Sequence, residues 1–122
     1  MKVLLGIGGS EDSLAALERM IERAERSGDE LTVAIVDNPD TDPTPSDVED
    51  RVESALAAAD IDPVVRRVTG DPGSRLVEIA ETESFDAIAL GGGTESPMGK
   101  IRLGHIAEFV ILNANVTVIL VR

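Results

Sequence analysis

Apolar residues follow the chain in two alternating patterns. Short uninterrupted apolar runs are typical of strands that are covered on both faces of a parallel sheet. The strands that these runs predict are 2–7, 31–36, 64–68, 86–90 and 116–121. Between the runs, residues such as Leu14, Leu17 and Ile21 recur at helical spacing. Five strands alternating with four helices predict one α/β domain over residues 1–122, with a doubly wound five-stranded parallel sheet in the order 3-2-1-4-5.

Capping signals indicate where the helices begin. Ser10 follows the first strand and is a favourable N-cap. A capping-box pattern begins at Ser46 and predicts the start of the second helix. Asp71, followed by proline, supplies the N-cap and first position of the third helix, and the fourth is predicted from Gly104 to residue 113. Residues 38–46 hold three prolines, which predicts a loop.

The chain carries a large excess of acidic residues. It has 23 Asp and Glu against 11 Lys and Arg, for a net charge of −12, and only two of the bases are Lys. Acids spread along the whole chain with so little Lys predict adaptation to high salt, where screening weakens self-repulsion. The alternative is an ordinary acidic protein. Because no basic stripe occurs, we expect no binding to nucleic acid or to an anionic membrane.

The residue types exclude several kinds of chemistry. The chain has no Cys and a single His, which excludes disulfides, thiol catalysis and sites built from Cys or several His. No acid–base pair or Ser-His-Asp set is visible, so we expect neither an enzyme nor a metal site. We expect the acids of residues 37–47 to be solvated. No secretory segment or apolar run of about 20 residues occurs, and we therefore expect a cytoplasmic protein.

A glycine cluster at 91–93 follows the fourth strand, and Gly104 opens the fourth helix further along the same loop. In doubly wound sheets, ligands lie at the carboxyl ends of the strands, where the strand order reverses. Backbone N–H groups at a helix N-terminus favour an anion at such a place. The candidate anion site is therefore this loop together with the turn after the first strand. The alternative is a flexible crossover loop.

Several segments together resemble the universal stress protein family over the entire chain. They are Val3–Ile7 with Gly9-Ser10, Thr69–Pro72, Phe85–Ile88 and the loop that contains Gly104. The resemblance implies an adenine nucleotide alpha hydrolase-like fold that binds ATP or a related adenine nucleotide. Val36 matches a position whose backbone contacts adenine in binding members. The candidate ligand residues are Gly8, Gly9, Ser10, Val36, Gly91, Gly92, Gly93, Thr94, Lys100, Gly104 and His105.

The chain departs from the resembled family at three of these positions. The family's nucleotide loop reads Gly, two residues, Gly, nine residues, Gly, then Ser or Thr. Gly91 and Gly104 match the first and third glycines, but Thr94 stands at the second and His105 at the hydroxyl residue. Gly8 stands where the family usually has an Asp near the nucleotide. A Cβ at position 94 hinders close approach of the backbone to phosphate, so the resemblance implies weak binding.

The last predicted strand, Val116–Val121, is apolar and forms one edge of the predicted sheet. An exposed apolar edge favours pairing with another strand, and many members of the resembled family pair this strand across a two-fold axis. We therefore expect a homodimer; the alternative is an edge covered by loops. We expect a stress-response module that senses an adenine nucleotide. The alternative is a dimeric interaction or signalling protein of the same fold that binds no nucleotide.

Overall fold

The computed structural model describes residues 1–37, 44–92, 94–95 and 101–122. In chain order its strands are β1 (Lys2–Ile7), β2 (Glu30–Val36), β3 (Val64–Val68), β4 (Ala87–Gly91), β5 (Thr94–Glu95), β6 (Ile101–Arg102) and β7 (Thr117–Val121). Its helices are α1 (Glu11–Ser27), α2 (Pro45–Ala57), α3 (Pro72–Thr82) and α4 (His105–Asn113).

Five of the strands form one parallel sheet in the order β3-β2-β1-β4-β7. The first strand lies at the centre, because Leu5 is in register with Val33 of β2 on one side and with Ala89 of β4 on the other. The chain builds outward from β1 to β3, then crosses back to β4 and ends at β7. The predicted doubly wound sheet is therefore confirmed, with β7 as the fifth strand of the order 3-2-1-4-5.

Helices cover both faces of this sheet. Leu17 of α1 and Val52 of α2 are buried with Leu5 in an apolar cluster on one face. Leu76 of α3 and Val110 of α4 belong to a second cluster on the other face. Successive side chains of a strand point to opposite faces, so the central strands need apolar residues at every position. This requirement explains the uninterrupted apolar runs in the sequence.

The second helix begins two residues earlier than its capping box predicted. Thr44 is the N-cap of α2: its hydroxyl accepts a hydrogen bond from Asp47 N at 3.3 Å, and the Asp47 carboxylate accepts one from Thr44 N at 3.4 Å. Pro45 occupies the first helical position, where its fixed φ and missing N–H are no disadvantage. The predicted cap at Ser46 was wrong, and its hydroxyl accepts from Arg67 Nη2 at 2.8 Å.

A short antiparallel pair, β5 with β6, was not predicted. Thr94 is in register with Arg102, and Glu95 with Ile101. The two segments have two residues each, which is too short to carry a periodic signal. The residue pattern predicts one continuous loop over this stretch.

The two edges of the main sheet differ in character. On the β3 edge, Arg67 pairs with Glu49 at 2.7 Å and Arg66 pairs with Glu83 at 2.8 Å, and such charged side chains discourage edge-to-edge pairing. The β7 edge carries only Thr, Val, Ile and Leu from Thr117 to Val121, and these side chains are exposed or half-buried. Only the second edge is therefore suited to pairing with another strand.

Candidate functional site

The carboxyl ends of β1 and β4 lie side by side at the centre of the sheet. Gly6 and Leu90 are in register there, and the strand order continues to β2 on one side and to β7 on the other. The chain leaves β1 for α1 and reaches α4 through the loop that follows β4. Because every crossover helix of a parallel sheet begins at its carboxyl edge, the N-termini of α1 and α4 both belong to this edge. This is the switch point at which ligands bind in such sheets.

The turn between β1 and α1 is fixed by local hydrogen bonds. Gly9 has a φ of 89°, in the left-handed region that favours glycine. Ser10 is the N-cap of α1, as predicted, and its hydroxyl oxygen accepts from Ser13 N at 3.1 Å. Ser13 Oγ in turn donates to Ser10 O at 2.9 Å. The Ser10 hydroxyl oxygen thus accepts from the helix, and among the described residues none accepts the hydroxyl proton.

The first two glycines of the cluster at 91–93 make contacts with β7. Gly91 is not a loop residue but the last residue of β4, where it is in register with Val121. Gly92 is buried, and its N–H donates to Val121 O at 2.8 Å. The Gly92 N–H is therefore occupied in this structure, and an anion at this edge needs other donors. A glycine at a strand end is a general signal for close backbone approach, which would have pointed to this packing.

The N-terminus of α4 offers backbone N–H groups to a ligand. Gly104 is the N-cap, with φ −71° and ψ 166°, and it supplies no side-chain cap. The first backbone bond of the helix is Glu108 N to Gly104 O, at 3.0 Å. The N–H groups of residues 105–107 precede that bond, and they have no partner within the described part of the chain, as is usual at a helix start. A Cβ at Gly104 would meet nothing within 4 Å, and His105 is exposed, so this helix end faces open space.

The other predicted site residues are placed as follows. Val36 is buried at the carboxyl end of β2, in register with Val68, and β2 is the neighbour of β1. Thr94 stands in β5, so the residue at the second glycine position is a β-branched residue in a strand, where such residues are favoured. Gly93 and Lys100 lie outside the described residues. Gly8 is half-buried beside Gly9.

A cavity of about 460 Å³ lies at the opposite, amino end of the strands. Four of its charged side chains are hydrogen-bonded to other groups of the protein, namely Lys2, Asp29, Arg66 and Glu83. Lys2 Nζ donates to the carbonyl of Glu83 at 2.7 Å, which caps the C-terminus of α3, and lies 4.4 Å from the centre of the Phe85 ring. Arg66 donates to both carboxylate oxygens of Glu83 and thereby lowers its pKa. These contacts join β1 and β3 to the end of α3, so a structural role accounts for the charged side chains involved.

At the same end, Asp29 ties the beginning of β1 to α1. Its side chain is 5% exposed and accepts from the N-terminal ammonium at 2.9 Å and from Arg23 Nε at 3.0 Å. The hydrogen bond from the ammonium is the main reason why the pKa of Asp29 is lowered. The two ends of the sheet thus differ. Ion pairs close the amino end, whereas the carboxyl end presents the N–H groups at the start of α4, which have no partner among the residues that the structure describes.

Among the described residues, no three His, Cys, Asp or Glu side chains stand close enough to share a metal ion. Within that same part of the chain, no helix is both long and apolar enough to cross a membrane.

Comparison with known proteins agrees with this architecture. A universal stress protein complexed with cAMP is 25% identical, with a TM-score of 0.72, and the match covers 100% of this chain and 96% of that one. A Mycobacterium tuberculosis protein is 28% identical, with a TM-score of 0.60 and coverage of 99% and 94%. An Arabidopsis thaliana family protein with AMP bound is 16% identical, with a TM-score of 0.69 and coverage of 99% and 90%, and shows the fold alone.

A search of curated proteins gave no match. The model of the universal stress protein family, in contrast, matches residues 1–122, which is the whole chain. With the sheet order and the position of the open α4 N-terminus described above, the chain therefore belongs to the universal stress protein family.

Proposed function

We propose that this protein is a stress-response module that senses an adenine nucleotide and binds it weakly. The observation that carries the proposal is the N-terminus of α4, which has no side-chain cap, faces open space at Gly104 and stands at the carboxyl edge of the sheet. Unpaired N–H groups and the helix dipole favour a phosphate at such a place. The 25% identical relative whose crystal structure contains cAMP supports an adenine nucleotide as the ligand.

Each part of the nucleotide would meet a different element of the site. The phosphate would accept from the N–H groups at the start of α4, near His105. The Ser10 hydroxyl would be a second donor, since its oxygen lone pair already serves the α1 cap. The backbone of Val36 would contact adenine, as the family resemblance implies. No described group is placed to activate water, so the proposal is binding without catalysis.

The charge of the protein favours ligands with few charges. Glu11 and Asp12 stand in the first turn of α1, and Glu108 in the first turn of α4, within a chain of net charge −12. Such carboxylates compete with a phosphate for the same helix termini. A triphosphate therefore meets more repulsion than a monophosphate, and Lys100 with Arg102 would offset only part of it. We expect this repulsion to reduce the affinity for AMP or cAMP less than the affinity for ATP.

The second candidate function is a dimeric interaction or signalling protein that binds no nucleotide. Its support is the Gly92 N–H, which donates to Val121 O instead of facing a ligand. Gly8, Thr94 and His105 support it as well, because each replaces a residue of the family's nucleotide pattern. The two candidates differ in whether the purified protein carries nucleotide.

The substitution His105→Pro tests the proposed phosphate contact. Proline is accepted at the first helical position but has no N–H, and the extended Gly104 suits a residue before proline. The control His105→Ala removes the imidazole and keeps the N–H. By calorimetry with cAMP and AMP at fixed salt, we expect the proline variant to bind about tenfold more weakly than the alanine variant, as for one lost hydrogen bond.

Native mass spectrometry of the wild-type protein completes this test, because co-purified nucleotide would appear as added mass. Equal affinities of the two His105 variants would contradict the contact at the start of α4. If neither method detects nucleotide with the wild-type protein, the second candidate function replaces the first.

We also infer a cytoplasmic protein that works at high salt, from its charge of −12 and its two Lys. The Debye length falls from about 10 Å at 0.1 M salt to about 3 Å at 1 M, which removes most repulsion between surface carboxylates. We expect the melting temperature to rise over this range of KCl. Glu18, Glu22 and Glu53 are exposed and have no described ion pair, so their combined replacement by Gln should make the rise smaller. If the melting temperature of the native protein does not change with KCl concentration, the result contradicts salt adaptation.

A further inference from the structure

The end of β4 and the first turn of α1 lie too close together for any side chain at position 91. A Cβ on Gly91 would stand 2.6 Å from the carbonyl carbon and oxygen of Asp12, and 2.7 Å from Ser13 N. These atoms form one peptide group of the helix backbone, which cannot rotate aside. The φ of Gly91 is not in the left-handed region, so the requirement for glycine comes from this close approach and not from backbone conformation.

Two other glycines of the described part of the chain lack this constraint. A Cβ at Gly6 would lie 2.8 Å from Leu76 Cδ1 and 2.9 Å from Leu90 Cδ2, which are the ends of flexible side chains. A Cβ at Gly104 would meet nothing within 4 Å. Gly91 differs from both because the opposing atoms are backbone, so a side chain there must move an entire helix turn.

The helix turn that Gly91 contacts is the one that carries Ser10. Leu14 N donates to Ser10 O at 3.1 Å, and the Ser13 backbone and hydroxyl bond to Ser10 as well. On its other side, the end of β4 is fixed to β7 through Gly92 N and Val121 O. The contact at Gly91 therefore joins two turns that approach the carboxyl edge from different strands.

We infer that Gly91 is a positioning residue of the nucleotide site, which rests on the proposed function. It seats the first turn of α1 on the end of β4 and so sets the position of Ser10 relative to the loop that leads to α4. Ordinary contact begins at 3.4 Å, so a methyl group at position 91 displaces the helix turn by about 1 Å. Hydrogen bonds weaken steeply with such misalignment.

The experiment compares Gly91→Ala with the control Gly6→Ala. Both add one methyl group to the sheet, but only the first meets helix backbone. Measurements are made well below the lower melting temperature of the two variants, so that loss of global stability does not affect them. For Gly91→Ala we expect displaced amide resonances at Gly9 and Ser10 by NMR and about tenfold weaker cAMP binding by calorimetry. For Gly6→Ala we expect neither change.

A second variant serves if Gly91→Ala does not fold. Ser13→Ala removes the hydroxyl that donates to Ser10 O, without replacing a predicted ligand residue, and should produce the same two changes to a smaller degree. Unmoved Gly9 and Ser10 resonances would overturn the inference, as would equal losses of affinity in the Gly91 and Gly6 variants. If the native protein binds no cAMP, the proposed function fails, and the NMR comparison alone decides whether Gly91 seats the turn.

Discussion

The triple variant Gly8→Asp, Thr94→Gly and His105→Ser should bind ATP about two to four decades more tightly than the native protein. Each substitution restores one element of the family's nucleotide pattern, and each restored or unhindered hydrogen bond contributes about 1–2 kcal/mol. An Asp at position 8 could bond a ribose hydroxyl or adenine. A Ser at position 105 would add a small hydroxyl donor at the open start of α4, where the native histidine is exposed.

The structure makes these substitutions reasonable at two of the positions. The φ of Gly8 is outside the left-handed region, so the backbone conformation does not require glycine there. Position 105 is the first residue of α4, which tolerates Ser. Of the three substitutions, Thr94→Gly is expected to reduce stability most, because it replaces a β-branched residue of β5 with glycine. The measurement is calorimetry at fixed salt, with the three single variants as controls and the melting temperature as a check on folding.

Two results would contradict this account of the three positions. One is sub-micromolar ATP binding by the native protein, and the other is a triple variant that binds no better than the native protein. If neither protein binds any nucleotide, the interaction or signalling function gains support.

The sheet and its order could be predicted because the sequence encodes them redundantly. A run such as Val3–Ile7 is apolar at every position, and in the structure these residues are buried between helices on both faces. Ser10 and Asp71 cap their helices as predicted, because a cap depends on bonds to residues three positions away. Burial of apolar runs and helix capping depend on residue type and on nearby residues, so both can be predicted from a single sequence.

Packing between distant segments could not be predicted in this way. The fit of Gly91 against Asp12 and Ser13 joins residues far apart in the chain, and the pattern of glycines alone suggested a ligand contact instead. The same holds for Gly92, whose N–H is taken by Val121. The sequence thus located the edge of the sheet that forms the candidate site, but it did not distinguish residues that hold the site together from those that would meet a ligand.

Replacing Leu112 and Thr117 with Lys should convert a dimer into a monomer, because we propose that β7 pairs with its copy in a second chain. The apolar β7 edge is one support for this pairing. The other is α4, where Phe109, Ile111 and Leu112 are 37%, 40% and 74% exposed. Burying such a side chain contributes about 1.5–3 kcal/mol, which favours association once the cost of ordering two chains is met.

Both replaced side chains are exposed, so neither substitution removes a core contact of the single chain. A buried unpaired Lys is strongly unfavourable, and we expect the dissociation constant to rise by at least about a hundredfold. The matched control is Val64→Lys on the opposite edge strand, where Val64 is 61% exposed beside the charged residues of β3. Light scattering at micromolar concentration in high salt should give twice the mass of the 12.9 kDa chain for the native protein and for the control. A native protein that is already monomeric, or a Val64→Lys variant that dissociates as readily as the double variant, would refute an interface built on β7 and α4.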